Sequence, residues 1–228
     1  MNNTMIKRTV IKIAFLGDVM TGKTELLSRY LKFGDFGDKL ATIGTDKHER
    51  LIKLDNGEEK KLILWDTAGA ERFRSMVLNS VKSANGYIIV FDLTSKNSFE
   101  SVVFWLKEIK EMKNCPIVLF GNKCDLIEKR TISKEEAEEF ALKNNLPYFE
   151  TSAKNNININ EGISKIANMA NEYRINNNFE INLKKDNKNK KQKNTKNKKD
   201  SEIKENNKNE NIKKELLKFN ILNKFISI

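Results

Sequence analysis

Residues 10–24 read VIKIAFLGDVMTGKT, and this stretch decides the fold. Val10 to Leu16 is a short apolar run broken only by Lys12, as a strand in the middle of a parallel sheet would be. Gly17-Asp-Val-Met-Thr-Gly-Lys-Thr24 follows at once and fits G-x-x-x-x-G-K-[ST], and helix spacing begins at Lys23 and continues to Lys32. A strand, a glycine-bearing loop and a helix in that order aim backbone N–H groups at one point, where phosphate oxygens can sit. Lys23 can neutralise the outer phosphates, and the Thr24 hydroxyl can ligate magnesium. A glycine-bearing turn without a ligand fits the same eight residues, so the remainder of the chain has to decide.

Outward from this loop, short apolar runs alternate with helix-period segments from Thr9 to about Arg174. The runs predict strands at Val10–Leu16, Leu62–Trp65, Tyr87–Asp92, Ile117–Gly121 and Tyr148–Glu150, and the segments between predict helices at Lys23–Lys32, Ser75–Ser83, Ser98–Met112, Lys134–Lys143 and Ile159–Tyr173. Ser133 with Glu136 forms a capping box ahead of the fourth helix. A sixth strand, Glu49–Leu54, joins the next through Asp55-Asn-Gly57, a hairpin signal. The expected fold class is therefore α/β: a P-loop NTPase-type, doubly wound, mostly parallel six-stranded sheet with one antiparallel edge strand and helices on both faces.

Composition divides the chain in two, a folded domain over residues 1–175 and a tail over 176–228. The tail holds 15 lysines against 7 acidic residues, which accounts for +8 of the net charge of +11. Its Asn/Lys-rich part has too little apolar surface to offset the entropy of ordering, so disorder is expected there. Hydrophobicity returns in Ile212–Ile228, but Ile212, Leu216, Phe219 and Ile226 form one helical stripe while Leu217, Ile221, Phe225 and Ile228 fall opposite, which blurs any amphipathic face. The two cysteines, Cys115 and Cys124, without a signal-peptide pattern, favour free thiols in a reducing compartment. No apolar run approaches the roughly 18 residues of a membrane span, so the expected location is cytoplasmic, peripheral on intracellular membranes at most.

Two further segments carry chemistry. Asn122-Lys-Cys-Asp125 lies just past a strand end, where open α/β sheets bind ligands, and Asp125 can accept two hydrogen bonds from a guanine edge. Glu150-Thr-Ser-Ala-Lys154 follows the last strand, and Ser152, Ala153 and Lys154 offer backbone N–H groups and an ammonium suited to the guanine carbonyl.

Taken in order, "GDVMTGKT", "TIG" at 42–44, "WDTAGAERF" at 65–73, "GNKCD" and "ETSAK" resemble the Ras superfamily of small GTPases, and "WDTAG-ERFRS" with "GYIIVFDLTSKNSFESV--WL" looks most like its Rab branch. The resemblance covers about Thr9 to Arg174. It implies a GTP/GDP switch on membrane traffic that binds magnesium and acts through effector, exchange-factor and GTPase-activating proteins. It places the nucleotide on Gly17, Asp18, Met20, Thr21, Gly22, Lys23, Thr24 and Glu25, with Asn122, Lys123 and Asp125 and with Ser152, Ala153 and Lys154 at the base. Thr42 would close on the third phosphate and, with Thr24 and Asp66, hold the metal. Lys23, Thr42 and Gly69 would form the catalytic set. Phe36 is the nearest candidate to stack on guanine, one residue out of register.

Departures from the family pattern bear on activity. Ala70 stands where the glutamine that orients water is usual, and a methyl group can neither donate nor accept a hydrogen bond. Val19 and Met20 replace small residues; a positive φ at Met20 would cost about 1–3 kcal/mol, and Val19 would crowd the path of an arginine finger. Two readings stand: a switch that hydrolyses GTP slowly, with an activating partner that supplies the glutamine as activators of the Rab branch do, and a non-catalytic scaffold that holds nucleotide as a structural ligand. The partner-facing aromatic positions hold Lys47, Trp65 and Ser80, so partner choice is not inherited. No cysteine follows Cys124, so the usual prenyl anchor is not expected; the tail lysines suit weak binding to anionic membrane, and equally an inert extension. Nucleic-acid binding is not expected, because no aromatic or arginine residues interleave the lysines, and a monomer is expected. His48, the single histidine, reads as an exposed polar strand residue, and Phe104 and Trp105 as core.

Overall fold

The computed structural model describes residues 10–32, 45–68 and 74–177. In chain order its elements are β1 (Val10–Leu16), α1 (Lys23–Leu31), β2 (Thr45–Lys53), β3 (Glu59–Thr67), α2 (Arg74–Val81), β4 (Gly86–Asp92), α3 (Lys96–Met112), β5 (Ile117–Asn122), α4 (Lys134–Lys143), β6 (Tyr148–Glu150) and α5 (159–177). A 3-10 turn at Ile127–Lys129 precedes α4. The chain divides into two units between Ile175 and Asn176.

The six strands form one sheet in the order β2-β3-β1-β4-β5-β6. All neighbours pair in parallel except β2 and β3, which pair antiparallel from Thr45↔Thr67 to Lys53↔Glu59. β1 lies between β3 and β4, so the chain winds away from it in opposite directions, and a crevice opens at its carboxyl end.

Side-chain alternation explains the two cores. Along β4, Tyr87, Ile89 and Phe91 face one side of the sheet while Ile88 and Val90 face the other. β5 repeats this, with Ile117 and Leu119 on the first side and Val118 and Phe120 on the second. The first side is covered by α2, α3 and α4 through Val77, Val102, Trp105 and Ala137, and the second by α1 and α5 through Leu26, Leu27, Ile163 and Ile166. β4 and β5 are buried along their whole length, which is why they read as unbroken apolar runs.

Where the strands depart from the sequence-based expectation, the reason is pairing. β2 starts at Thr45 rather than Glu49 and ends at Lys53 rather than Leu54, and β3 spans Glu59–Thr67 rather than Leu62–Trp65. The antiparallel ladder recruits polar residues that a hydrophobic pattern leaves out, and Leu54 becomes part of the turn, bonding Gly57 N–H and the Glu58 carbonyl at 2.9 Å each. α3 starts two residues early because the Ser95 hydroxyl caps it, accepting from Ser98 N–H at 3.4 Å. α2 begins one residue sooner and ends two sooner than expected, at Val81, and α5 continues past Tyr173 to residue 177. His48 is half-buried on β2 rather than exposed. Trp105 is buried as expected, whereas Phe104 is only half-buried against it.

Unfolding by denaturant at fixed nucleotide and magnesium concentration should rank two substitutions. Ile89→Ala removes a fully buried side chain and should cost about 3 kcal/mol, whereas Ser133→Ala removes the hydroxyl that caps Glu136 N–H and should cost about 1 kcal/mol.

Candidate functional site

The loop after β1 is built around two glycines. Gly17 has φ 137°, and a Cβ there would overlap the carbonyl oxygen of Val90 on the neighbouring strand. Gly22, with φ 90°, caps α1, and a Cβ on it would overlap the Asn122 amide. Between them Met20 takes φ 62°, a left-handed conformation that costs a residue with a Cβ about 1 kcal/mol or more. Met20 is 81% exposed and Val19 49%.

The loop curls over its own lysine. Lys23 is 5% exposed, and its Nζ donates to the carbonyls of Gly17 (2.9 Å) and Asp18 (2.8 Å). Burial lowers its pKa from 10.5 to about 8, against the opposing pull of the Asp66 and Asp18 carboxylates. The Thr21 hydroxyl also donates to the Asp18 carbonyl, at 2.9 Å. An anion in front of this loop would restore the charge that burial disfavours.

Thr24, on the first turn of α1, donates its hydroxyl to Asp66 Oδ2 at 2.6 Å. Asp66 is placed by the end of β3, where the Thr67 hydroxyl ties that strand to the Phe15 carbonyl of β1 at 2.6 Å. Among the described residues no group of three or more His, Cys, Asp or Glu side chains could hold a metal. One carboxylate beside one hydroxyl suits magnesium, which takes few protein ligands and completes its shell with water and phosphate oxygens. These two residues therefore fit the metal expected from the sequence.

Three loops converge on Asn122. Its Nδ2 donates to the Thr21 carbonyl at 2.9 Å, its Oδ1 accepts from the Thr151 hydroxyl at 3.3 Å, and it is 1% exposed. Next to it Lys123 has φ 67° and pairs through Nζ with Asp92 at 2.6 Å. Asp125 Oδ1 accepts from the Ser152 hydroxyl at 2.6 Å. A cavity of about 340 Å³ opens between these loops, lined by Gly22, Glu25, Asn122, Lys123, Asp125, Leu126, Ala153 and Lys154.

The structure thus brings together Gly17, Asp18, Met20, Thr21, Gly22, Lys23, Thr24, Glu25, Asp66, Asn122, Lys123, Asp125, Ser152, Ala153 and Lys154 at the carboxyl ends of the parallel strands. Phe36, Thr42, Gly69 and Ala70 lie outside the described residues. Both cysteines are free thiols; burial pushes Cys115 up to about 11 and, with Glu150 and Asp125, raises Cys124, so both stay protonated at neutral pH. Of the positions that the family pattern assigns to partners, Lys47 stands opposite Trp65 in the ladder and pairs with Glu49 at 2.8 Å, and Ser80 shares a 2.9 Å hydrogen bond with Thr45.

Two contributors escaped the sequence reading. The Trp105 indole donates to Asp18 Oδ1 at 3.2 Å, and Arg29 donates to the carbonyls of Ala153 and Lys154 at 2.9 Å each. A buried indole N–H needs a partner, which was a signal for the first. The second joins residues more than a hundred positions apart, and no local pattern encodes it.

A model of the Ras family matches residues 12–172. The chain is 38% identical over 160 residues to Ras-related protein Rab-13 of Rattus norvegicus, an alignment that covers 69% of this chain and 78% of that protein. It is also 38% identical over 160 residues to Ras-related protein Rab-8 of Diplobatis ommata (69% and 76%) and to Ras-related protein Rab-8A of Mus musculus (69% and 77%).

Lys23 makes a pH prediction. At pH 8 the buried lysine is about half deprotonated, and a bound polyphosphate raises its pKa, so binding should take up roughly half a proton at pH 8 and close to none at pH 7. Calorimetry in buffers of different ionisation enthalpy reads this directly, and no uptake at either pH would contradict it. For the ligand-free fold the sign differs from that of a paired lysine: the depressed pKa costs stability below about 8, and the cost is relieved as pH rises toward 10.5.

Proposed function

The chain belongs to the Ras family of small GTPases, on its Rab-like branch, and from that premise we propose a guanine-nucleotide switch of intracellular membrane traffic that hydrolyses GTP slowly by itself. Proteins of this family bind GTP and GDP with magnesium, hydrolyse GTP, and work through exchange factors, activators and effectors. The observation that carries the reading for this chain is the meeting of the phosphate loop with both base-side loops at Asn122.

In this reading the amides from Gly17 to Thr24 surround the phosphates and Lys23 neutralises the outermost ones. Thr24 and Asp66, with Thr42 from the family pattern, would hold magnesium, which when bound offsets negative charge on the phosphate oxygens. Asp125 would accept from the guanine edge, with Ala153 and Lys154 toward its carbonyl, and Phe36 is the aromatic that the family pattern offers for the ring. Water attacks the terminal phosphorus and its bond to the bridging oxygen breaks, giving GDP and phosphate. The family pattern gives Gly69 a place in the catalytic set, and alanine at position 70 would leave the attacking water without an amide to orient it.

Met20 and Val19 favour the second reading, a scaffold that keeps its nucleotide. Their exposed side chains sit at the mouth of the phosphate loop, where a partner's arginine would have to enter. Single-turnover hydrolysis separates the two. A slow switch should turn over at about 10⁻⁴ s⁻¹ or below, and Ala70→Gln should raise the rate at least about tenfold. A wild-type rate well above this sinks the slow-enzyme reading, and no hydrolysis in either protein, with GTP still bound, favours the scaffold.

We further assign residues 1–175 to the GTPase domain and residues 176–228 to a tail that binds anionic membrane weakly, each lysine close to the surface contributing about 1 kcal/mol. A chain cut after Ile175 should keep its affinity for GDP and lose sedimentation with phosphatidylserine vesicles; unchanged sedimentation removes the membrane role.

A further inference from the structure

We propose that Arg29 is a positioning residue for base selection, tying the loop after β6, and through it Asp125, to the helix that carries the phosphate lysine. The proposal rests on the guanine reading above.

Arg29 lies in the last turn of α1, the helix that begins at Lys23. Its Nε donates to the Ala153 carbonyl and its Nη2 to the Lys154 carbonyl, both at 2.9 Å. A guanidinium is planar, so two donors on one edge fix two successive peptide groups together. In a trans peptide the N–H points opposite to the C=O, so the amide of Asn155 is turned away from Arg29. That amide donates to the Ser152 hydroxyl oxygen at 3.0 Å, and the hydroxyl donates to Asp125 Oδ1 at 2.6 Å. A hydroxyl has one proton, and with its oxygen engaged by Asn155 that proton is committed to Asp125.

The chain of bonds Arg29, Lys154–Asn155, Ser152, Asp125 holds one carboxylate oxygen of the base-reading acid in place. The other oxygen is left to meet a ligand in the cavity that Asp125, Ala153 and Lys154 line. Both ends of the nucleotide site are thereby referred to one helix, with Lys23 at its start and Arg29 near its end. Lysine cannot replace this arginine in kind, because an ammonium on a flexible stem has no planar fork.

The test is release of fluorescent GDP and IDP from the full chain. The hypoxanthine of IDP lacks the exocyclic amine that a carboxylate can accept from, so the ratio of the two rates reports how well Asp125 is aimed. Wild type should hold GDP longer than IDP. Arg29→Gln should speed GDP release about tenfold and IDP release by less than about threefold, shrinking the ratio, as loss of charge-assisted hydrogen bonds predicts. Arg29→Lys should shift the ratio in the same direction by less, and it carries the test if the glutamine variant does not fold. Adding Ser152→Ala to either variant should change the ratio little further, since both act on one chain of bonds. Equal acceleration of both nucleotides, or no change, would show that Arg29 only supports the fold and would overturn the proposal. A wild-type protein that cannot tell GDP from IDP would instead overturn the guanine reading, and this proposal with it.

Discussion

The site depends on one buried amide. Asn122 ends strand β5, and its side chain reaches the Thr21 carbonyl on one side and the Thr151 hydroxyl on the other. Neither partner is near it in sequence. Because the amide is removed from water, each of these bonds is expensive to leave unmade, on the order of 1–3 kcal/mol for an orphaned group. The bonds therefore act as a constraint on three loops at once, and they leave a crevice between the phosphate loop and the two base-side loops. The absence of a side chain at Gly22 belongs to the same constraint, since a Cβ there would displace the Asn122 amide.

Two features of the phosphate loop are costly in themselves. Met20 occupies a left-handed conformation and Lys23 is buried with its ammonium turned onto carbonyls of its own loop. Neither is favourable by itself. Both become reasonable when a polyanion faces the loop, because backbone amides and the buried cation then act on charge rather than on one another. The Trp105 indole adds a fixed point from α3 by bonding Asp18, whose carbonyl accepts from Lys23. Core packing and the phosphate site are thus continuous, and a change in α3 can reach the loop without touching a ligand.

Much of this was legible in the sequence, for reasons that differ by element. The loop after β1 was readable because the motif, the strand before it and the helix after it agree. The hairpin at Asn56-Gly57 was readable because turn chemistry is local. The extension of β2 to Thr45 was not, because Thr45, Asp46 and Lys47 enter the ladder through backbone pairing that an apolar pattern does not register. Trp105 read correctly as core, yet its N–H partner could not be found without the fold. Arg29 looked like an ordinary basic residue at a helix end, favoured there by the helix dipole, and its role appears only when α1 and the loop after β6 are side by side. Phe36, Thr42, Gly69 and Ala70 stay expectations drawn from the family pattern, because they lie outside the described residues.

We propose that this crevice is shaped around a guanine nucleotide, phosphates on the loop at Gly17–Thr24 and base against Asp125. The most direct measurement is the identity of the nucleotide released when the purified full chain is denatured. GDP or GTP, near one per chain, is the expected result; adenine nucleotide in its place would contradict the guanine reading.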